Sequence, residues 1–308
     1  MKLTNGASPH IRDTVTASQL MGHVLLALLP ALAVGVWQLG WEALWVVLSC
    51  TSAALITEGV WTAGRTLADG SAVVTGLLLA MTLPPHLPLW LAALGGGAAV
   101  AAGKLLWGGV GENVFNPALV ARAAMVLCFP RPMTAYHTAD AVTAATPLHH
   151  MALHDLPEES VGELFLGLCG GSVGEISAAA LLLGGLYLIW RRVITWRIPV
   201  SYLGAVAVLT LLFSRGDAPV LWMVSQLLSG GLVLAAIFMA TDYATSPVTP
   251  GGQLLYGALC GALTVFFRYE GIFPEGATYA ILLMNSLSWT IDRLTPPRRF
   301  GVGKGAKA

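Results

Sequence analysis

The sequence predicts an all-α integral membrane protein with about ten transmembrane segments, in two inverted five-segment repeats with broken helices. Three observations lead to this fold class: an apolar composition, ten apolar runs, and prolines that interrupt two of these runs. Apolar residues make up 56% of the 308 residues and charged residues only 10%, with a mean hydropathy of +0.73. A soluble domain carries about 25% charged residues, so lipid must face most of this chain.

The ten apolar runs follow one another along the chain. They cover residues 21–39, 42–61, 73–83, 88–107, 113–129, 175–190, 198–214, 218–240, 253–268 and 274–290. A helix needs about 20 residues to cross the hydrocarbon core. Several runs are shorter than this, which indicates broken segments among the full spans.

Proline clusters end two of the runs. Pro84-Pro85 follows the run 73–83 and should end its helix, because proline lacks the backbone donor and clashes with the preceding turn. The run 218–240 closes with Thr241, Asp242 and Pro247. Broken segments in corresponding places of two halves indicate an internal repeat around a central site.

Residue spacing supports this repeat. The same distance along the chain separates Met81 from Met239, Glu112 from Glu270, and Phe115 from Phe273. With five spans in each half, the second half enters the membrane in the opposite direction. The predicted division is an N-terminal membrane half at 1–130, an extracytoplasmic loop at 131–174 and a C-terminal membrane half at 175–308.

The basic residues predict the orientation. With a cytoplasmic N-terminus, the inside receives Lys2, Arg12, Arg65, Lys104, Arg191, Arg192, Arg197, Arg293, Arg298, Arg299, Lys304 and Lys307, and the outside receives Arg131, Arg215 and Arg268. Cationic loops are retained in the cytoplasm, so both termini are expected inside and the loop 131–174 outside. No cleavable signal is evident, because the apolar run from Met21 has no small-residue cleavage site before the next span. A net charge of zero argues against a nucleic-acid partner.

Cysteines and histidines give weak indications of a metal site. The four cysteines have no clustered spacing, which favours single buried thiols over a cluster shared with a partner protein. Four of the seven histidines, His137, His149, His150 and His154, lie in the loop 131–174. An ordinary exposed loop is favoured over a metal site there.

The most specific feature of the loop is the octapeptide Asp140 to Pro147, Asp-Ala-Val-Thr-Ala-Ala-Thr-Pro. It resembles the pattern Asp-x-x-(Ser/Thr)-(Gly/Ala)-Ala-Thr, at which bacterial flavin transferases attach FMN to a threonine through a phosphoester. The attachment threonine would be Thr146, and Asp140, Thr143 and Ala145 complete the motif. Thr143-Ala144 replaces a frequent Ser-Gly but keeps a hydroxyl and a small residue. A threonine hydroxyl is a weak nucleophile, so the transferase is needed, with FAD as donor and AMP as leaving group.

Three further blocks resemble the D subunits of Rnf electron-transport complexes. They are residues 8–12 with 25–31, residues 111–122 (Gly-Glu-Asn-Val-Phe-Asn-Pro-Ala-Leu-Val-Ala-Arg), and residues 238–242 with 246–250 and 252–253. The related B subunits of sodium-pumping NADH:quinone reductases share the architecture but are longer at the N-terminus. The resemblance covers nearly the full length of the chain.

This resemblance implies a subunit of an ion-translocating complex in the inner membrane of a bacterial cell. The complex would pass electrons between ferredoxin and NAD, coupled to Na⁺ or H⁺ movement. This chain would carry covalent FMN on the outer loop, beside a second FMN-bearing subunit and iron–sulfur subunits. A second flavin, such as riboflavin, would lie in the membrane part. This chain alone would hold no complete active site.

Arg122, Asn116 and Asp242 are further candidates. Once the other basic residues are assigned to the two sides, Arg122 is the one left within a predicted span, where an unpaired guanidinium costs several kcal/mol, so it must face the interior. It either contacts a second flavin, with Asn116 as a polar neighbour, or binds helix-end carbonyls, Glu112 or Asp242. Asp242 either takes part in an ion pathway beside unwound backbone or is a solvated helix-end carboxylate.

Two other classes of function fit the same spans. A solute channel of urea-channel-like architecture would also have inverted repeats and broken helices, and fold alone does not decide function. A cofactor-free scaffold for partner subunits would fit as well. Neither needs the octapeptide at Asp140 to Pro147, which therefore favours the flavoprotein.

Overall fold

The computed structural model describes residues 15–134, 147–153, 155–157, 159–167, 170–215, 218–271 and 275–296, without the side chain of His149. Within these ranges the protein is helical and contains no strand. The all-α prediction is confirmed.

Five α-helices, with short 3-10 helices at Leu67–Asp69 and Leu105–Trp107, cover the described part of the predicted N-terminal half. They are α1 (Ala17–Leu39), α2 (Trp41–Thr62), α3 (Ser71–Met81), α4 (Leu89–Gly103) and α5 (Pro117–Cys128). Three short helices follow, α6 (Pro130–Thr134), α7 (Pro147–Ala152) and α8 (Val161–Leu166).

The predicted C-terminal half contains the remaining helices. They are α9 (Ala178–Trp190), α10 (Arg197–Leu212), α11 (Pro219–Leu228), α12 (Leu232–Leu234, continued by a π-helix at Ala235–Met239), α13 (Pro250–Glu270) and α14 (Gly276–Leu294).

Among the described residues, each of the ten predicted runs corresponds to one helix or to one bent pair of helices. Four stretches are long and apolar enough to cross a membrane singly: Ala17–Leu39, Trp41–Thr62, Leu89–Trp107 and Pro250–Glu270. The exact number of crossings stays a prediction.

The run 218–240 is the main correction to the predicted segments. Instead of one continuous helix, α11 and α12 are bent by 63° at residues 229–231. Gly230 and Gly231 both have positive φ values there, 69° and 62°, a conformation that glycine adopts at no steric cost. The chain therefore breaks within this run as well as after it.

Local sequence explains where several helices begin and end. Thr16 and Gln19 form a capping box at the start of α1, which satisfies two otherwise unpaired donors. Asn116 caps α5, and Pro117 occupies its first turn, where the missing N–H costs nothing. Helix α3 ends at Met81, two residues before Leu83 and the Pro84-Pro85 pair, as the prolines predict.

Close helix packing depends on small residues in both halves. Helix α2 packs on α4, and a Cβ at Gly96 would lie 2.1 Å from the Cys50 carbonyl oxygen. Helix α10 packs on α13, and a Cβ at Gly257 would lie 2.7 Å from the Ile198 carbonyl oxygen. Small residues allow such backbone approach in membrane bundles. The pairs α2–α4 and α10–α13 hold corresponding places in the two halves, which fits an inverted repeat. The boundaries of the two repeats remain a prediction.

The helices define two ends of the bundle. At one end, His23 of α1 lies 2.8 Å from Tyr187 of α9, and the Val248 N–H donates to Asp292 at 3.1 Å. We call this the basic end, because Arg65, Arg191, Arg192, Arg197 and Arg293 lie in its connections or the adjoining helix turns. At the other end, Arg215 pairs with Glu270 at 2.9 Å. We call this the loop end, since the described residues between 147 and 177 lie there.

Candidate cofactor site

A cavity of about 300 Å³ lies at the basic end. Its walls come from the first turns of α1, from α3, from residues 110–118 and from residues 237–244. The volume is at the lower limit of the range typical of small-molecule sites.

The lining of this basic-end cavity is mainly apolar, with a few polar groups. The apolar side chains include Leu20, Met21, Val24, Val74, Leu78, Ile237 and Phe238, and the polar ones include Ser71, Thr75, Lys104, Asn113, Asn116, Thr241 and Asp242. Apolar walls with a small number of convergent polar groups are typical of small-molecule sites, and an isoalloxazine ring has a flat apolar body and a polar edge that match such walls. The residues present therefore fit an isoalloxazine ring.

Asn116 links the start of α5 to the end of the π-helix at the cavity wall. Its side-chain oxygen accepts from the N–H groups of Ala118 and Leu119 at 3.1 and 3.3 Å, and its side-chain nitrogen donates to the Met239 carbonyl at 3.1 Å. The residue is 2% exposed. With all these bonds made, Asn116 fixes the wall where the π-helix ends, and its side chain borders the cavity.

Asp242 lies on the same wall, just beyond the π-helix. Its carboxylate accepts from the side chains of Asn113 and Thr245, both at 3.3 Å. Asp242 is half-buried and borders the basic-end cavity. It is therefore a hydrogen-bonded carboxylate that borders the cavity.

A buried ion pair between Lys104 and Glu58 lies beside the cavity. The sequence does not identify this pair as a candidate site. Lys104 Nζ lies 2.7 Å from Glu58 Oε1 and also donates to Ser71 Oγ. Glu58 is 0% exposed, Lys104 3%. The available signal is Glu58 itself, because a carboxylate inside an apolar run is a functional candidate by default.

Arg122 lies apart from the basic-end cavity. Its guanidinium donates to the Thr82 carbonyl and pairs with Glu275. The helix-end carbonyl expected from the sequence is thus observed, while the carboxylate is neither Glu112 nor Asp242. Arg122 borders a space of only about 20 Å³, far below the volume of a ligand site. The structure therefore separates Arg122 from Asn116.

Arg122 is also not the only cation inside the bundle, so that prediction is wrong. Arg268 is 5% exposed, although the charge pattern assigns it to the outside. It donates to the Gln226 and Ser229 carbonyls at 2.6 and 2.8 Å. These carbonyls lack helical partners because α11 ends there, which explains why a guanidinium is buried at this point.

The predicted flavin-attachment residues Asp140, Thr143, Ala145 and Thr146 lie outside the described residues. The next residue, Pro147, begins α7 at the loop end and lies with Leu148 beside Leu228, Ser229 and Gly230. Leu148 and Met151 form a buried apolar cluster with Trp222. The segment after the motif is therefore packed on the bend between α11 and α12.

The described residues contain no group of three or more His, Cys, Asp or Glu side chains able to hold a metal ion. Cys50 and Cys260 are buried, and Cys128 is exposed. Cys169, His137 and His154 lie outside the described residues.

Comparison with known proteins covers almost the whole chain. Residues 4–301 match the model of the NQR2, RnfD, RnfE family. The D subunit of the Na⁺-translocating ferredoxin:NAD⁺ oxidoreductase complex of Acetobacterium woodii is 45% identical over 314 residues, which cover 99% of this chain and 97% of the relative.

Two further relatives are similar over nearly their full length. The D subunit of the proton-translocating ferredoxin:NAD⁺ oxidoreductase complex of Clostridium ljungdahlii is 42% identical, over 97% of this chain and 96% of the relative. The D subunit of the ion-translocating oxidoreductase complex of Stutzerimonas stutzeri is 39% identical, over 94% of this chain and 93% of the relative.

Proposed function

This chain belongs to the NQR2, RnfD, RnfE family, and on that premise we propose that it is the D subunit of an ion-translocating ferredoxin:NAD oxidoreductase complex. The observation that carries the proposal is 45% identity over 97% of a relative that bears this name. The all-helical, apolar fold agrees with a membrane subunit. The chain would act with other subunits of the complex, including a second FMN-bearing subunit and iron–sulfur subunits.

We further propose that Thr146 carries FMN through a phosphoester. The support is the match of Asp140, Thr143, Ala145 and Thr146 to the attachment pattern. The packing of Leu148 against Gly230 is further support, since it anchors the residues just after the motif at the loop end. A flavin transferase would form the bond between the Thr146 oxygen and phosphorus, releasing AMP from FAD.

The attachment is tested by fluorescence on a denaturing gel. A phosphoester survives unfolding, whereas a noncovalent flavin is released, so the wild-type band at 32.2 kDa should fluoresce under ultraviolet light. Thr146→Val removes the hydroxyl but keeps the shape, and should abolish this fluorescence without preventing membrane insertion.

Thr143→Val is the matched control, because it removes a second hydroxyl from the same motif but not the attachment atom. It should reduce the yield of attached flavin at most. A dark wild-type band from cells that contain the transferase would contradict flavin attachment. Fluorescence that persists in Thr146→Val would assign the flavin to another residue.

We propose that the basic-end cavity holds a second, noncovalent flavin. A bound flavin supplies the exchange of one or two electrons. The apolar side chains from α1, α3 and the π-helix would exclude water from the ring, and Asn113 and Thr241 would hold its polar edge. Asn116 would keep this wall in place through its bond to Met239, and Arg122 lies outside the proposed site.

Asp242 is proposed to belong to an ion pathway. It is half-buried at the unwound segment after the π-helix, with Thr241 and Thr245 nearby, and unwound backbone near a carboxylate suits cation binding. The relatives name Na⁺ in one species and H⁺ in another, so similarity alone does not assign the ion. An unchanged Na⁺ dependence of turnover in Asp242→Asn would exclude a role in Na⁺ transfer.

A further inference from the structure

The two residues of the buried pair Glu58–Lys104 lie at different distances from the basic-end cavity. Lys104 and its hydrogen-bond partner Ser71 line the cavity, whereas Glu58 does not. Lys104 therefore borders the space, whereas Glu58 lies behind it. A ligand in the cavity would lie nearer to the cation of this pair than to its carboxylate.

Lys104 also retains hydrogen-bonding capacity. Its ammonium group has three N–H donors, and the described residues supply two acceptors, Glu58 Oε1 and Ser71 Oγ. Glu58 is held in turn by Thr66, whose hydroxyl donates to Oε1 at 2.7 Å. This shell fixes the ammonium group at the wall and leaves one donor for a ligand.

Stability alone does not explain this pair. A buried ion pair can often be replaced by apolar residues with little loss or even a gain in stability, because desolvation offsets much of the attraction. Here one carboxylate oxygen of Glu58, Oε2, has no partner among the described residues. The pair is therefore an incompletely satisfied charged group at the wall of a ligand-sized cavity.

We propose that Lys104, held in place by Glu58, stabilises the reduced form of the flavin in the basic-end cavity and so raises its reduction potential. The inference rests on the proposed cavity flavin. Reduction adds negative charge to the ring, and a fixed cation favours that charge more strongly in a water-poor site than in solution. Asp242 also borders the cavity, so the ring would lie near both this carboxylate and the Lys104 ammonium group.

The test compares the binding of oxidised and reduced riboflavin to the purified full chain. The protein is made in cells without the flavin transferase, so that no covalently attached flavin contributes to the signal. The main variant is Lys104→Met with Glu58→Gln, which removes both charges together and avoids a lone buried carboxylate. If this double variant does not fold, a second double variant, Lys104→Gln with Glu58→Gln, removes the charges while keeping polar side chains.

We expect the oxidised form to bind the variant nearly as well as the wild type. The reduced form should bind about tenfold more weakly, a lowering of the potential by about 30 mV for a two-electron couple. Lys104→Arg keeps the cation and should leave the ratio of the two affinities close to that of the wild type. The control removes the exposed pair Arg215–Glu270 at the loop end and should leave both affinities unchanged.

The outcomes separate the two proposals. Equal weakening of both forms would mean that the pair only shapes the cavity, and unchanged affinities would mean that it has no effect on the flavin. Either result overturns the role of Lys104 while leaving the cavity flavin in place. A wild-type chain that binds no riboflavin in either form would overturn the cavity flavin, and the role of Lys104 with it.

Discussion

At the residue scale, Arg122 shows what one buried cation does in this fold. It joins the Thr82 carbonyl, just beyond α3, to Glu275, just before α14. The carbonyl lacks a helical partner because α3 ends there, and a cation near a helix C-terminus is favourable. The sequence could predict that Arg122 is paired, because a cation inside the membrane needs a partner. It could not identify Glu275, which lies in the other half of the chain.

Replacing Arg122 tests this pairing. Arg122→Leu should destabilise the protein by about 3 kcal/mol, the lower end of the range for breaking a buried pair, because the partly exposed Glu275 loses this cation. Arg122→Leu with Glu275→Gln should be clearly milder. The comparison is made by thermal unfolding of the detergent-purified chain, with Arg215→Gln as a control that should cost about 0–1 kcal/mol, since its pair with Glu270 is exposed. If the single and the double variant lose the same amount of thermal stability, the Glu275 charge is not the cause of the destabilisation.

At the element scale, the bend between α11 and α12 depends on glycine and arginine together. Gly230 and Gly231 turn the chain with positive φ values, and Arg268 satisfies the carbonyls of Gln226 and Ser229. The Ser-Gly-Gly sequence at 229–231 carries the signal for a break, but the apolar residues on both sides of it favour one continuous run. The π-helix that follows could not be predicted, because its register depends on tertiary packing.

Gly230→Ala should disturb this bend. The residue has φ 69°, and a Cβ there would lie 2.4 Å from Leu148 Cδ2. A left-handed conformation costs a non-glycine residue about 1–2 kcal/mol, and the contact would also push α7 away. We therefore expect lower thermal stability and faster proteolysis of the loop 131–174.

Gly204→Ala is the matched control for that substitution. Gly204 lies inside α10, and a Cβ there would meet nothing within 4 Å. Alanine favours a helix interior over glycine by about 0.5–1 kcal/mol, so this variant should be as stable as the wild type or slightly more so. If both alanine variants behave alike, the bend does not need glycine at 230.

At the scale of the whole molecule, the segments were predictable and the cavity was not. Apolar runs and prolines locate the helices, apart from the break inside 218–240, because they act through local hydropathy and backbone sterics. The cavity walls come from α1, α3, the loop before α5 and the residues after the π-helix, which are far apart in the chain. Asn116 and Asp242 stand out as polar groups at broken segments, whereas the charge pattern places Lys104 among the cytoplasmic charges.

The burial of Lys104 and Arg268 also changes the charge argument for orientation. Both are almost inaccessible, so neither can act as a loop charge in the folded protein. Setting them aside leaves eleven basic residues for the predicted inside and two, Arg131 and Arg215, for the outside. The bias therefore persists without the two buried cations, and the basic end should face the cytoplasm.

Reporter fusions after Gly171 and at Ala308 test this orientation. Gly171 lies at the loop end, so a reporter there should be active only outside the cytoplasm, and a reporter at Ala308 only inside. This arrangement would expose the Thr146 loop to an extracytoplasmic flavin transferase and direct the basic-end cavity toward cytoplasmic partners. Cytoplasmic activity of the Gly171 fusion would reverse the topology. It would also remove the physical argument that the two proposed flavins lie toward opposite faces of the membrane.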